Sequence, residues 1–142
     1  MPVEDDNLIR NILANAKTIA LVGASVKQDR DSNHIGKYLM QQGYTIVPVN
    51  PAYDEVLGVK CYPDLQAIPI PVDIVDVFRK KEAVDEIVDQ ALAIKAKTLW
   101  LQIGVINAEA AERAERNGLQ VVMNHCIAVE HLRLIRPEFK NK

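Results

Sequence analysis

Cysteine is scarce in this chain, with two residues, Cys61 and Cys126, far apart and outside any CxxC pattern. That spacing excludes a disulfide framework and points to reduced thiols. The three histidines do not complete a set with metal-ligand spacing, so no metal is expected. Charge of one sign is also missing. The net charge is −2, which gives no electrostatic case for nucleic acid or an anionic membrane as partner. No apolar run approaches the ~20 residues that span a bilayer, and the acidic start does not read as a signal peptide. A cytoplasmic protein is the expectation. GxxxxGK[ST] is absent, which argues against a P-loop ATPase. GxGxxG is absent as well.

What is present is an ordinary domain's worth of chain. At 142 residues, 49% hydrophobic and 25% charged, it can bury a real core. No repeat, low-complexity tract or linker divides it, so residues 1–142 are expected to form one domain. Residues 17–25, KTIALVGAS, organise the rest. The unbroken run Ile19, Ala20, Leu21, Val22 reads as a strand buried on both faces, as in a parallel sheet. Gly23 permits a sharp turn and a close backbone approach. A polar loop then leads to a helix over residues 33–42, with Ser32 or Asn33 as the expected N-cap and Gly43 at its stop.

Before this unit, residues 3–16 place Leu8, Ile9, Ile12 and Leu13 on one helical face. After it, YTIVPVN is a second strand, and Pro48 argues for an edge position or a bulge. Residues 52–73 are less regular, with a brief extended piece at 57–62 and a helical turn near Asp64-Leu65. DIVDVF, TLWLQI and LQVVM read as three further strands. Helices over 82–95, 108–117 and 127–134 separate and follow them. The fold class is therefore α/β, a three-layer domain with a mostly parallel five-stranded sheet and right-handed crossovers.

In such sheets ligands bind beyond the C-terminal strand ends. Here those ends carry Gly23-Ala24-Ser25, Asn50-Pro51, Phe78-Arg79, Gln102 to Gly104 and Asn124-His125. Together they form a rim of small and hydrogen-bonding residues. The loop after the first strand adds Lys27, Arg30, Ser32 and Asn33, which suit a phosphorylated ligand at a helix N-terminus. Strand two ends in Asn-Pro rather than in the acidic residue that holds a dinucleotide's ribose, which counts against NAD. His125 and Cys126 are adjacent on extended chain and point to opposite faces, so they do not form a nucleophile–base pair. His131 beside Glu130 reads as a surface pair or a helix-end contact. Trp100 reads as core, and Cys61 as packing.

The motifs VGAS, DRDSNHIGKYL, VPVNP, GVKCYPDL, VDIVDVFR, LWLQIG and VVMNHC…EH, in this order, resemble the small stand-alone CoA-binding proteins. Their domain is similar to the N-terminal CoA-binding domain of the succinyl-CoA synthetase α subunit. The resemblance runs over residues 8–134. It implies a Rossmann-like, nucleotide-binding fold that takes CoA or an acyl-CoA by its nucleotide part, without evident catalysis. The alternative is an NAD(P)-dependent oxidoreductase or a thioester-handling enzyme. A protein partner or a homo-oligomer is compatible with either. Matched residue by residue, Gly23, Ala24 and Ser25 fall under the pyrophosphate, and Arg30, Ser32 and Lys37 at positions available to phosphates. Asn50 and Pro51 fall on the ribose and adenine side, and Phe78 with Arg79 on the next wall. Gln102 to Gly104 fall on the wall beyond. The chain departs from the pattern at Asn124-His125, where Asp-Arg is expected, and at Asp31, where relatives often carry proline.

Overall fold

A computed structural model describes residues 1–136. The elements in chain order are α1 (Asp6–Asn15), β1 (Thr18–Val22), α2 (Asp31–Gln41), β2 (Thr45–Val49), β3 (Glu55–Val56), β4 (Val59–Lys60), β5 (Ile74–Val77), α3 (Val84–Ala93), β6 (Thr98–Leu101), α4 (Ala108–Arg116), β7 (Gln120–Met123) and α5 (Ile127–Leu134). Single 3-10 turns lie at Leu65–Ala67 and Lys81–Ala83. Five strands form one parallel sheet in the order β2-β1-β5-β6-β7, and β3 and β4 pair separately as a small antiparallel hairpin. The α/β class and the five-stranded parallel sheet expected from the sequence are both present.

Alternation along the strands divides the core between two faces. Ala20, Val22, Val75, Val77, Leu99 and Leu101 point to the side covered by α3 and α4. Ile19, Leu21, Ile74 and Trp100 point to the side covered by α1, α2 and α5. Every residue of β1 is buried, as its uninterrupted apolar run requires. The same holds for β5, although it contains Asp76.

Pro48 occupies the expected edge strand. It pairs with Leu21, and its carbonyl faces outward, accepting from Tyr62 N–H at 3.0 Å. Its missing N–H therefore removes no bond to β1. Asp73 lies just before β5 rather than inside it. Its carboxylate accepts from the N–H groups of Lys17 and Thr18 at 2.8 and 3.0 Å, fixing the entry to β1.

Three local expectations change. Helix α1 is N-capped by Asp5 and buries Ile9, Ile12 and Leu13, whereas Leu8 is 47% exposed. Helix α2 begins at Asp31 with Arg30 at the N-cap and no capping side chain; Ser32 and Asn33 are buried inside its first turn. His131 is not a surface residue. It is 3% exposed, and its Nδ1 lies 2.8 Å from the Tyr38 hydroxyl, with the rings of Tyr38 and Tyr44 edge-on. Burial holds its pKa below the ordinary imidazole range, and Arg136 acts in the same direction. Among the described residues no helix is long and apolar enough to cross a membrane.

Candidate functional site

A cavity of about 750 Å³ opens above the C-terminal ends of β1, β2, β5 and β6. That lies within the range of roughly 300–1,000 Å³ usual for small-molecule sites. The chain reverses strand order here: β2 lies on one side of β1 and β5 on the other, so the connections from their ends diverge and leave a crevice.

The floor of the cavity is the turn leaving β1. Gly23 has φ +91, and a Cβ there would lie 3.1 Å from the Phe78 carbonyl oxygen and 3.0 Å from Arg79 Cδ. Glycine is needed both for the turn and for the close approach of the β5 end. The N–H groups of Gly23 and Ala24 still bond to Val49 O, at 3.0 and 3.3 Å, so the turn stays fastened to β2. Ser25 follows, and its hydroxyl accepts from Lys27 N–H at 3.1 Å.

One wall is the loop into α2, from Lys27 to Ser32. The helix N-terminus has no side-chain cap and opens on the cavity, so its first N–H groups and dipole face the lumen. Gly36 lets this helix sit close: a Cβ there would lie 2.7 Å from Leu57 Cδ1 and 2.8 Å from Leu21 Cδ1. The opposite wall is Asn50, Pro51 and Tyr53, and Phe78 with Arg79, Gln102, Ile103 and Val105 close the remainder. Lys27, Arg30 and Arg79 supply positive charge, set against Asp29 and Asp31. Asp31 also pairs with His34 at 3.2 Å, both side chains exposed.

Of the residues singled out from the sequence, Gly23, Ser25, Arg30, Ser32, Asn50, Pro51, Phe78, Arg79 and Gln102 line this one cavity. Ala24 lies beneath it, fully buried, with its carbonyl bonded to Asn50 Nδ2 at 2.8 Å. Lys37 is exposed on α2 and does not line the cavity. Gly104 stands outside it as well, its N–H donating to Asn124 Oδ1 at 2.9 Å. Gln102 is turned inward, and its Oε1 accepts from the first N–H of α5 at 3.2 Å. Tyr53 and Val105 are lining residues that sequence reasoning missed.

The cysteine–histidine neighbours are placed apart in role. His125 Nε2 lies 3.1 Å from Glu4 Oε2 and its Nδ1 3.4 Å from Glu130 Oε1. Arg133 joins the same cluster through Glu130 and Asp6. Cys126 is the N-cap residue of α5. Cys61 is buried with its Sγ 3.5 Å from Asn50 O, and burial pushes its thiol pKa up, away from the reactive thiolate.

The profile of a CoA binding domain family matches residues 17–132. The chain belongs to that CoA binding domain family. It is 42% identical over 123 residues to the uncharacterized protein YneT of Bacillus subtilis, covering 87% of this chain and 91% of that one. A hypothetical protein from Pyrococcus horikoshii has the same fold, with a TM-score of 0.91 and 46% identity over 95% of this chain and 96% of the other. An ADP-forming acetate–CoA ligase from Archaeoglobus fulgidus is 31% identical over 80% of this chain, which corresponds to only 18% of the ligase. The resemblance carried by VGAS, VPVNP and LWLQIG therefore holds at the level of the CoA binding domain family.

Proposed function

We propose that this protein binds coenzyme A or an acyl-CoA by its nucleotide part, in the cavity above β1, β2, β5 and β6. The observation that carries the reading is the uncapped N-terminus of α2 beside the Gly23–Ser25 turn, in a chain of the CoA binding domain family. An anion there meets outward N–H groups, a favourable dipole and the side chains of Lys27, Arg30 and Arg79. Gly23 leaves a cradle that any Cβ would fill. Asn50 at the end of β2 offers no carboxylate to a ribose, which favours CoA over NAD. Phe78, half-buried at the tip of β5, would pack against the adenine in this reading. Bound CoA would bring a thiol or thioester; the residues here hold its nucleotide.

The ligase relatives extend far beyond the matched segment, so their chemistry is not carried over with it. Binding alone, in the service of carrying, sensing or regulating a partner, is the function this cavity supports.

A calorimetric or thermal-shift series with CoA, acetyl-CoA, NAD, NADP and ATP tests the reading. At 100 times its dissociation constant CoA should add about 2.7 kcal/mol of stability. Ser25→Asp should place a negative charge against the phosphates and abolish that gain with the fold intact. Stabilisation by NADP and none by CoA would replace this reading with a dinucleotide site.

A further inference from the structure

Two asparagines hold the Gly23–Ser25 turn from behind. Asn50 Nδ2 donates to Ala24 O at 2.8 Å, and Asn33 Nδ2 donates to Ser25 O at 2.9 Å. These are successive carbonyls, gripped by residues from two different elements. The Asn50 amide is tied at both ends, since its Oδ1 accepts from Ala52 N–H at 2.9 Å.

Asn33 is the more informative of the two. It is 4% exposed, and its Oδ1 is buried with no hydrogen-bond partner among the described residues. The amide cannot be turned over, because Ser25 O needs a donor facing it. A stranded buried acceptor costs stability and calls for a reason. The reason on view is the other end of the amide: the side chain directs the Ser25 carbonyl at the expense of its own oxygen.

A trans peptide sets its N–H opposite its C=O. With the Ala24 and Ser25 carbonyls turned toward the asparagines, the N–H groups of Ser25 and Val26 point the other way. Neither has an acceptor among the described residues. Successive N–H groups of this kind form an anion-binding concavity. We propose that Asn33 and Asn50 are positioning residues that aim the Ser25 and Val26 N–H groups at the ligand's pyrophosphate. The proposal rests on the CoA reading above and adds to it that the two side-chain amides act on the phosphates through the turn.

The test is calorimetry of the wild type, Asn33→Ala and Asn50→Ala with CoA, ADP and adenosine, beside their melting curves. Each variant should bind CoA and ADP about tenfold more weakly. Adenosine, which has no phosphate, should bind within about twofold of wild type. Asn33→Ala loses a hydrogen bond but also removes the stranded acceptor, so its melting midpoint should stay within about 3 °C. Unchanged CoA affinity in both variants, or an equal loss for adenosine, would overturn the proposal. A wild type that binds neither CoA nor ADP would sink the underlying reading and this proposal with it, an outcome distinct from wild-type binding that the variants preserve.

Discussion

An Asp76→Asn variant should lose a pH dependence that the wild-type protein carries. Asp76 sits in the central strand β5 between Leu21 of β1 and Trp100 of β6. It is 0% exposed, and neither carboxyl oxygen has a partner among the described residues. Burial alone therefore sets its titration, raising its pKa well above the ordinary value of 3.8. The sign follows directly. The native state keeps a proton that the unfolded chain releases above 3.8, so stability is full below that value and falls as pH rises toward the folded pKa. The limiting slope is about 1.4 kcal/mol per pH unit. Between 3.8 and the folded pKa the wild type should lose stability relative to Asp76→Asn, by at most about 1.4 kcal/mol per pH unit. At a urea m-value near 2 kcal/mol/M that is at most about 0.7 M per pH unit in the difference between their midpoints. The variant keeps a buried polar group, but that cost is constant with pH and leaves the slope untouched. Asp6 and Asp73, whose pKa values are lowered, act in the opposite direction and cancel in the comparison. Urea titrations of both proteins at pH 4.5, 5, 5.5 and 6 provide the assay. Parallel stability curves would refute the reasoning and mean that Asp76 is ionised or hydrated in the native state.

Gly23→Ala forces a Cβ onto a residue at φ +91, against the Phe78 carbonyl. It should cost about 2 kcal/mol and weaken CoA binding; a urea midpoint equal to wild type would argue that the turn relaxes freely. Tyr38→Phe removes the 2.8 Å contact to His131 Nδ1 and should cost about 1–3 kcal/mol in thermal or urea unfolding. Because burial lowers the His131 pKa below 6.5, its contribution is present above that pH and is lost as pH falls. An NMR titration in which the His131 ring protonates above pH 6.5 would contradict the burial argument.

Much of this architecture can be read from local pattern. The apolar run of β1 and the glycine after it define a buried strand and a turn. Pro48 identifies the edge strand because proline cannot donate to an inner ladder. The cavity-lining residues were legible because they sit at strand ends, which a parallel sheet must bring together. The failures have specific causes. Ser32 and Asn33 look like caps, but Asn33 spends its amide on the Ser25 carbonyl, so the helix starts earlier and its end stays open. His131 lies four residues after Ile127 and three before Leu134, on the buried face of α5, and that spacing was the signal for its burial. Asp76 follows the alternation of DIVDVF, which shows burial of the position but not that an acid would fill it unpaired. Tyr53 lies beyond β2, in the irregular segment before the β3–β4 hairpin, whose path no periodicity reveals.

The two ends of the sheet also differ in what they leave unbonded, and this difference decides where an anion can rest. At the entry to β1 the N–H groups of Lys17 and Thr18 are taken by the Asp73 carboxylate, which itself faces Lys97 Nζ at 3.5 Å. An anion arriving there would meet a carboxylate already occupying the donors. At the exit the balance is reversed. The carbonyls of Ala24 and Ser25 are held by asparagine amides, and no side chain caps α2. The N–H groups of Ser25, Val26, Asp31 and Ser32 have no acceptor among the described residues. Four donors collected at one mouth, with Lys27, Arg30 and Arg79 around them and Asp29 and Asp31 opposing, act most strongly on a ligand close enough to reach the backbone. A phosphate held at distance by the side chains alone would feel three positive charges offset in large part by two negative ones. Selectivity for a ligand that places phosphate against the turn itself follows from this, and salt should weaken its binding less than it weakens a purely side-chain-held anion.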